Sequence, residues 1–306
     1  MSAAERRGAT PARARASAWR VGLCLLSGLT IGLAQAQAQV TVRDDRGLSQ
    51  QFDRPPERIV SLLPSLTESV CALGACALLV GTDRFSNSPA SVDALPKLGG
   101  LEDTAIERLI SLRPDLVLVA KSARVIERLE ALGLRVLALE SQNHADVHNT
   151  LTVLGRVLGR TVQADAAWKD IEQELQDAAT RLPARWRGQQ VYFEVGSAPY
   201  AAGAGSFIGQ TLSRLGLGNI VPVAMGPFPK LNPEFVVRAQ PQIVMASQRE
   251  VGKMAERPGW TQMRALRQRQ VCGFEPARYE MLIRPGPRMG QAASVIVDCL
   301  VQMAAP

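Results

Sequence analysis

Glu107-Arg108-Leu109-Ile110-Ser111-Leu112-Arg113-Pro114-Asp115-Leu116-Val117 and Glu234-Phe235-Val236-Val237-Arg238-Ala239-Gln240-Pro241-Gln242-Ile243-Val244 share one pattern, 127 positions apart. Each opens on glutamate, has apolar residues at plus two and plus three, proline at plus seven and valine at plus ten. A short helix that stops before a proline and gives way to a β-branched run is half of a parallel β-α-β unit. Its recurrence predicts two similarly built α/β lobes.

Working outward, the same alternation fills the chain from Arg58 onward. Short apolar strands are expected at 59–62, 78–81, 116–119 and 136–139, with helices at 66–73, from 104, at 125–132 and at 145–158. A small hairpin around Arg46-Gly47 precedes them. From Val162 to Leu182 the apolar residues Ala164, Trp168, Ile171, Leu175, Ala178 and Leu182 alternate spacings of four and three, and the run stops at Pro183. About 21 residues give a helix of roughly 30 Å, long enough to run along two lobes. Alternation then resumes, with strands at 191–195, 243–245 and 270–274 and a last helix from about Pro287 to Val301. The expected division is a leader at 1–38, an N-terminal lobe at 39–160, a connector helix at 161–183 and a C-terminal lobe at 184–306.

The leader reads as a cleavable signal peptide. Arg6, Arg7, Arg13, Arg15 and Arg20 precede an apolar run from Val21 to Leu33, and small residues alternate with glutamine at 34–38. Thirteen apolar residues are too few to span a bilayer, which needs about 20. The segment holds five arginines and one glutamate, so the net charge of +7 becomes +3 without it. No basic run with interleaved aromatics remains, which excludes the usual nucleic-acid footprint. Four cysteines follow the leader, in a compartment where disulfides persist. Cys71 and Cys76 bracket Gly74, a candidate helix terminator that would fold the chain back and bring their sulfurs together. For Cys272 and Cys299 buried thiols fit better than zinc, which lacks ligand spacing.

Catalytic motifs are missing. His144 and His148 stand at helical spacing without an accompanying carboxylate motif, and Gly203-Ala204-Gly205-Ser206-Phe207-Ile208-Gly209 has its third glycine one position late for a dinucleotide loop. No Gly-x-Ser-x-Gly elbow or Walker lysine occurs. The expectation is therefore a binding protein rather than an enzyme, with no resident cofactor and no protein-held metal. Open α/β sheets bind ligands beyond the carboxyl ends of their strands. The loops expected there carry Phe85, Leu98-Gly99-Gly100, Tyr200, Phe228 and Tyr279, an aromatic lining for a wide cleft.

These residues, in this order, resemble the periplasmic solute-binding proteins of ABC importers for cobalamin, haem and ferric siderophores, most closely the cobalamin-binding branch. The resemblance runs through Arg58-Ile59-Val60-Ser61-Leu62 with Pro64 and Thr67-Glu68, Gly81 to Asn87, Leu98-Gly99-Gly100, Pro258-Gly259-Trp260 and Arg284-Pro285-Gly286-Pro287-Arg288. It implies two Rossmann-like lobes joined by one long helix, a ligand cleft between them, and a monomer exported to the periplasm. It also implies a corrinoid or iron-complex cargo held by Ser65, Phe85, Leu98, Gly99, Tyr200, Phe228, Tyr279 and Arg284. Glu107 and Glu234 would dock on a dimeric permease. Leu98 stands where that branch has tryptophan, and Arg84, Arg284 and Arg288 would suit an anionic chelate, so a ferric siderophore or haem is the alternative cargo. A secreted enzyme is the remote alternative.

Overall fold

The structure, a computed structural model, describes residues 39–196 and 199–304. The leader at 1–38 lies outside the described residues. The chain opens with an antiparallel hairpin, β1 (Val40–Arg43) and β2 (Ser49–Phe52), turned at Gly47 with φ +88°. β3 (Ile59–Ser61) leads into α1 (Pro64–Ala72), whose first position is the favoured place for a proline. Gly74 follows with φ +72°, and its N–H and that of Ala75 bond back to Cys71 and Val70. This left-handed stop reverses the chain and brings Cys71 and Cys76 into the expected disulfide. Next come β4 (Leu79–Thr82), α2 (Ile106–Ser111), β5 (Leu116–Val119), α3 (Ile126–Ala131), β6 (Val136–Ala138) and α4 (His144–Val157). The four strands β3 to β6 form one parallel sheet in the order β4-β3-β5-β6.

The predicted connector is α5 (Thr161–Arg181), a single 21-residue helix. It buries Ala164, Ile171, Leu175 and Ala178 in one core that also holds Leu151 and Leu154 of the first lobe and Leu212, Ile296 and Leu300 of the second. Fully burying an Ile or Leu side chain stabilises by about 1.5–3 kcal/mol, so this stripe fixes the helix to both lobes.

The second lobe runs β7 (Gln190–Gly196), β8 (Tyr200–Ala201), α6 (Phe207–Arg214), β9 (Gly218–Asn219), α7 (Pro233–Ala239), β10 (Ile243–Ser247), α8 (Gln248–Met254), α9 (Arg264–Arg267), β11 (Val271–Phe274), α10 (Pro276–Leu282) and α11 (Met289–Ala304). β11, β10, β7 and β9 are parallel, while β8 pairs antiparallel with β7. Cys272 on β11 is bonded to Cys299 on α11, which corrects the reading of these two as buried thiols. The segment around Tyr279, expected as a loop, is helix α10; Pro276 supplies its start, but seven residues are too few to show a helical period in the sequence.

The repeated motif occupies equivalent places. α2 and α7 are each followed by a non-glycine residue in left-handed conformation, Arg113 (φ 47°) and Gln240 (φ 45°), just before the shared proline. β5 and β10 follow, each flanked by parallel strands on both sides. A side chain with positive φ is strained, and its recurrence at one motif position argues for common construction rather than chance.

Candidate ligand cleft between the lobes

Parallel strands deliver their carboxyl ends to one side of each lobe, and the loops there carry most of the predicted ligand residues. In the first lobe Asp83 follows β4 and is buried. One carboxylate oxygen accepts the backbone N–H of Phe85 at 2.7 Å and of Ser86 at 3.1 Å; the other accepts the Ser86 hydroxyl. Burial pushes the Asp83 carboxyl above its ordinary range, and these hydrogen bonds pull the other way. Ser86 Oγ also lies 2.8 Å from Thr67 Oγ1, which donates to Ser61 Oγ at 2.9 Å. The loop is held from inside, and Phe85 is left 59% exposed, with the Arg84 guanidinium 5.7 Å from its ring centroid.

A second clamp reaches this loop from the other lobe. Arg284, between α10 and α11, is buried. Its Nη1 donates to Glu68 Oε1 at 3.0 Å and Asn87 Oδ1 at 2.8 Å. Its Nη2 donates to the carbonyl of Phe85 at 2.9 Å and to Glu280 Oε2 at 2.8 Å. Arg288 closes on the same Glu68 through Nε at 2.9 Å and Nη2 at 2.6 Å. Arg84 is paired with Asp103. All three arginines expected to meet an anionic ligand are thus paired with carboxylates of the chain itself. Behind this arm, against α5, a groove of about 490 Å³ is lined by Glu68, Asp170, Glu174 and Arg288, and it contains none of the predicted ligand residues.

Tyr200 and Phe228 come from adjoining segments of the second lobe, since Tyr200 bridges Lys230 and the Ala201 N–H bonds to the carbonyl of Pro229. Tyr200 is 44% exposed, whereas Phe228 is half-buried with its ring 5.9 Å from that of Phe207. Tyr279 donates its hydroxyl to the carbonyl of Glu194 at 3.0 Å, and its ring lies 6.5 Å from Phe193. Burial pushes that hydroxyl well above its ordinary range. Ser65 is buried at the start of α1, with its Cβ 3.6 Å from the position a side chain on Gly286 would take.

Two of the predicted residues serve the scaffold. Leu98 is fully buried and packs beside Gly81, so its side chain does not line the cleft as expected. Gly99 has φ +93°, and a Cβ there would fall 2.3 Å from the carbonyl oxygen of Asp103. The turn by itself already demands glycine here. Glu107 and Glu234 are both exposed in the first turn of α2 and α7. Because these crossover helices run against the strands, both carboxylates stand at the cleft side of their lobes. The two histidines diverge: His144 Nε2 meets Thr211 Oγ1 at 2.9 Å and the carbonyl of Phe207 at 3.1 Å, and His148 stacks on Trp168 at 4.6 Å. Among the described residues no group of three His, Cys, Asp or Glu is placed to hold a metal ion.

Sequence reasoning missed one cluster. Glu194, fully buried near the end of β7, takes both Arg257 terminal nitrogens, at 2.6 and 2.8 Å, and the Tyr192 hydroxyl at 2.7 Å; Arg257 also reaches Glu250 at 3.2 Å. The available signal was a lone charge inside the otherwise apolar strand Val191-Tyr192-Phe193-Glu194-Val195.

Two parallel α/β lobes on one long helix, with facing loops at their strand ends, define a bilobal ligand-binding protein. The profile of the periplasmic binding protein family matches residues 59–277, and the chain belongs to that family. It is 26% identical over 272 residues to an uncharacterized ABC transporter substrate-binding lipoprotein of Bacillus subtilis, covering 85% of both chains. It is also 26% identical over 257 residues to the vitamin B12-binding protein of Pectobacterium atrosepticum, covering 81% of this chain and 90% of that one. Among solved structures, a periplasmic heme-binding protein from Pseudomonas aeruginosa superposes with a TM-score of 0.67 at 26% identity, covering 79% of this chain and 92% of that one. Among the described residues no helix is long and apolar enough to cross a membrane.

Proposed function

We propose that this chain is the exported substrate-binding component of an ABC importer, that it carries cobalamin between its lobes in the periplasm, and that it delivers this cargo to a dimeric permease without performing chemistry on it. The names of the Bacillus and Pectobacterium relatives support the transport role. Family membership alone leaves a corrinoid, haem and a ferric chelate as rivals. The observation that favours the corrinoid is the pairing of Arg84, Arg284 and Arg288 with Asp103, Glu68 and Glu280. At Arg284 and Arg288, an anionic siderophore or the propionates of haem would have to displace the buried Glu68 carboxylate, leaving it uncompensated. A cargo bound chiefly by stacking and apolar burial needs no such exchange, and Phe85 and Tyr200 offer exposed rings. Delivery is assigned to Glu107 and Glu234, one carboxylate per lobe, matched to basic groups on two related permease subunits.

Calorimetric titration of the purified protein with cyanocobalamin, haemin and a ferric hydroxamate tests this. Saturable binding of cyanocobalamin alone is expected, weakened by Phe85→Ala. Preference for haemin or the hydroxamate overturns the choice of cargo, and binding of none of them overturns the importer role.

A further inference from the structure

The segment Arg284-Pro285-Gly286-Pro287-Arg288 is an arm thrown from the second lobe onto the first. Two prolines restrict its backbone, and Gly286, which is buried, lets it pass against Ser65 at the start of α1. Arg288 and one edge of Arg284 share Glu68, which accounts for how the arm is anchored. It does not account for the other edge of Arg284, which turns away from Glu68 to the carbonyl of Phe85 and to Glu280. Glu280 in turn accepts the Asn87 side-chain amide at 2.9 Å. Phe85 is therefore gripped on both sides of its backbone: its N–H by Asp83 of its own lobe, its carbonyl by Arg284 of the opposite lobe. The ring touches Arg84 and Gly100 on its own loop, and the residue remains 59% exposed.

The geometry points to Arg284 as a positioning residue: it ties the carbonyl of Phe85 to the second lobe, so that the exposed ring is set at a fixed distance from the opposite wall of the cleft before cargo arrives. This deepens the cobalamin reading and rests on it for the identity of the cargo. The planar fork of arginine suits the task, because one side chain must meet a carboxylate and a carbonyl in fixed directions at once. A loop preset in this way spares the ordering cost that binding otherwise carries.

Two measurements test the assignment, one of which needs no cargo. In ligand-free protein, Arg284→Met and Arg284→Lys are both expected to speed amide hydrogen exchange at Phe85 and Ser86, with α5 unchanged. Lysine keeps the charge beside Glu68 but lacks the fork, so it retains the fold if methionine does not. In cyanocobalamin titrations Arg284→Lys is expected to weaken binding about tenfold in the native background and less than about twofold in a Phe85→Ala background, since the residue acts through that ring. Unchanged exchange at 85–86, or an equal loss of affinity in both backgrounds, overturns the positioning role. Failure of the unmodified protein to bind cyanocobalamin overturns the cargo instead, and the exchange result still decides the role of Arg284.

Discussion

Glu68 shows how much can rest on one side chain. Its side chain is 4% exposed and pairs with two guanidiniums, those of Arg284 and Arg288, with side-chain exposures of 10% and 21%, Glu280 supplying the second carboxylate. Removing one member of a buried ionic group leaves the others without compensation, which costs about 3–5 kcal/mol. Glu68→Ala is therefore expected to lower unfolding stability in urea by about 3 kcal/mol, and a loss under about 1 kcal/mol would contradict the network's role. Phe85 has the opposite character, carrying a largely exposed ring whose contacts with Arg84 and Gly100 lie at the surface. Phe85→Ala should leave the urea midpoint unchanged while weakening cyanocobalamin binding by about 2 kcal/mol, roughly 30-fold in Kd.

At the scale of elements, α4 and α6 meet through His144. Burial holds its imidazole below the ordinary value of 6.5, against the opposing pull of the Phe207 carbonyl, with Arg214 and Glu172 as the nearby charges. A depressed histidine pKa means the unfolded chain binds the proton more tightly. The contribution to stability is present above about pH 6.5 and is lost as pH falls through the folded-state value. His144→Gln should flatten the stability profile between pH 8 and 5 relative to the native chain, by at most about 1.4 kcal/mol per pH unit. An identical slope in both proteins would exclude His144 as its source. The bond between β11 and α11 closes a separation of 27 residues, and Cys272→Ser with Cys299→Ser should cost roughly 3.5 kcal/mol by loop entropy. Much of this level was legible in the sequence. The stripe from Ala164 to Leu182, the stop at Gly74 and the repeated Glu-to-Val motif all depend on local spacing, and the structure places each element within a few residues of the expectation. The site was less legible because its partners are remote. Arg284 meets Glu68 across 216 positions and Arg257 meets Glu194 across 63, and no local pattern announces either pair. Leu98 departs from the expectation because its side chain fills the core beside Gly81 in a segment whose pattern reads as a cleft loop.

At the scale of the whole molecule, the lobes are tied in three places. α5 joins them covalently, the arm at 284–288 grips Glu68 and Phe85, and the Phe207 N–H bonds to the carbonyl of Gln142 at 2.6 Å beside the His144 contact. So many ties leave little freedom for a hinge, and solution scattering should show no measurable change in radius of gyration when cyanocobalamin is added. A contraction of several ångström would overturn that expectation. Glu107→Ala with Glu234→Ala should abolish uptake of cobalamin by cells while leaving its binding in solution intact; normal uptake by the double variant would remove these carboxylates from delivery. The opening hairpin bears on a different hazard. β6 is the last strand of the first sheet, and its outward carbonyls are taken by the hairpin: Ala138 by the Asp45 N–H at 3.0 Å, Val136 by Gln50 and Arg46, while Asp45 accepts the Glu140 N–H at 2.7 Å. An unsealed outer strand is a template on which another chain can add its own. A chain begun at Pro55 would keep every residue proposed for cargo and delivery, yet it would present that template and self-associate into strand-paired polymers. Residues 39–54 thus keep that outer strand sealed while holding none of the residues proposed for cargo or delivery.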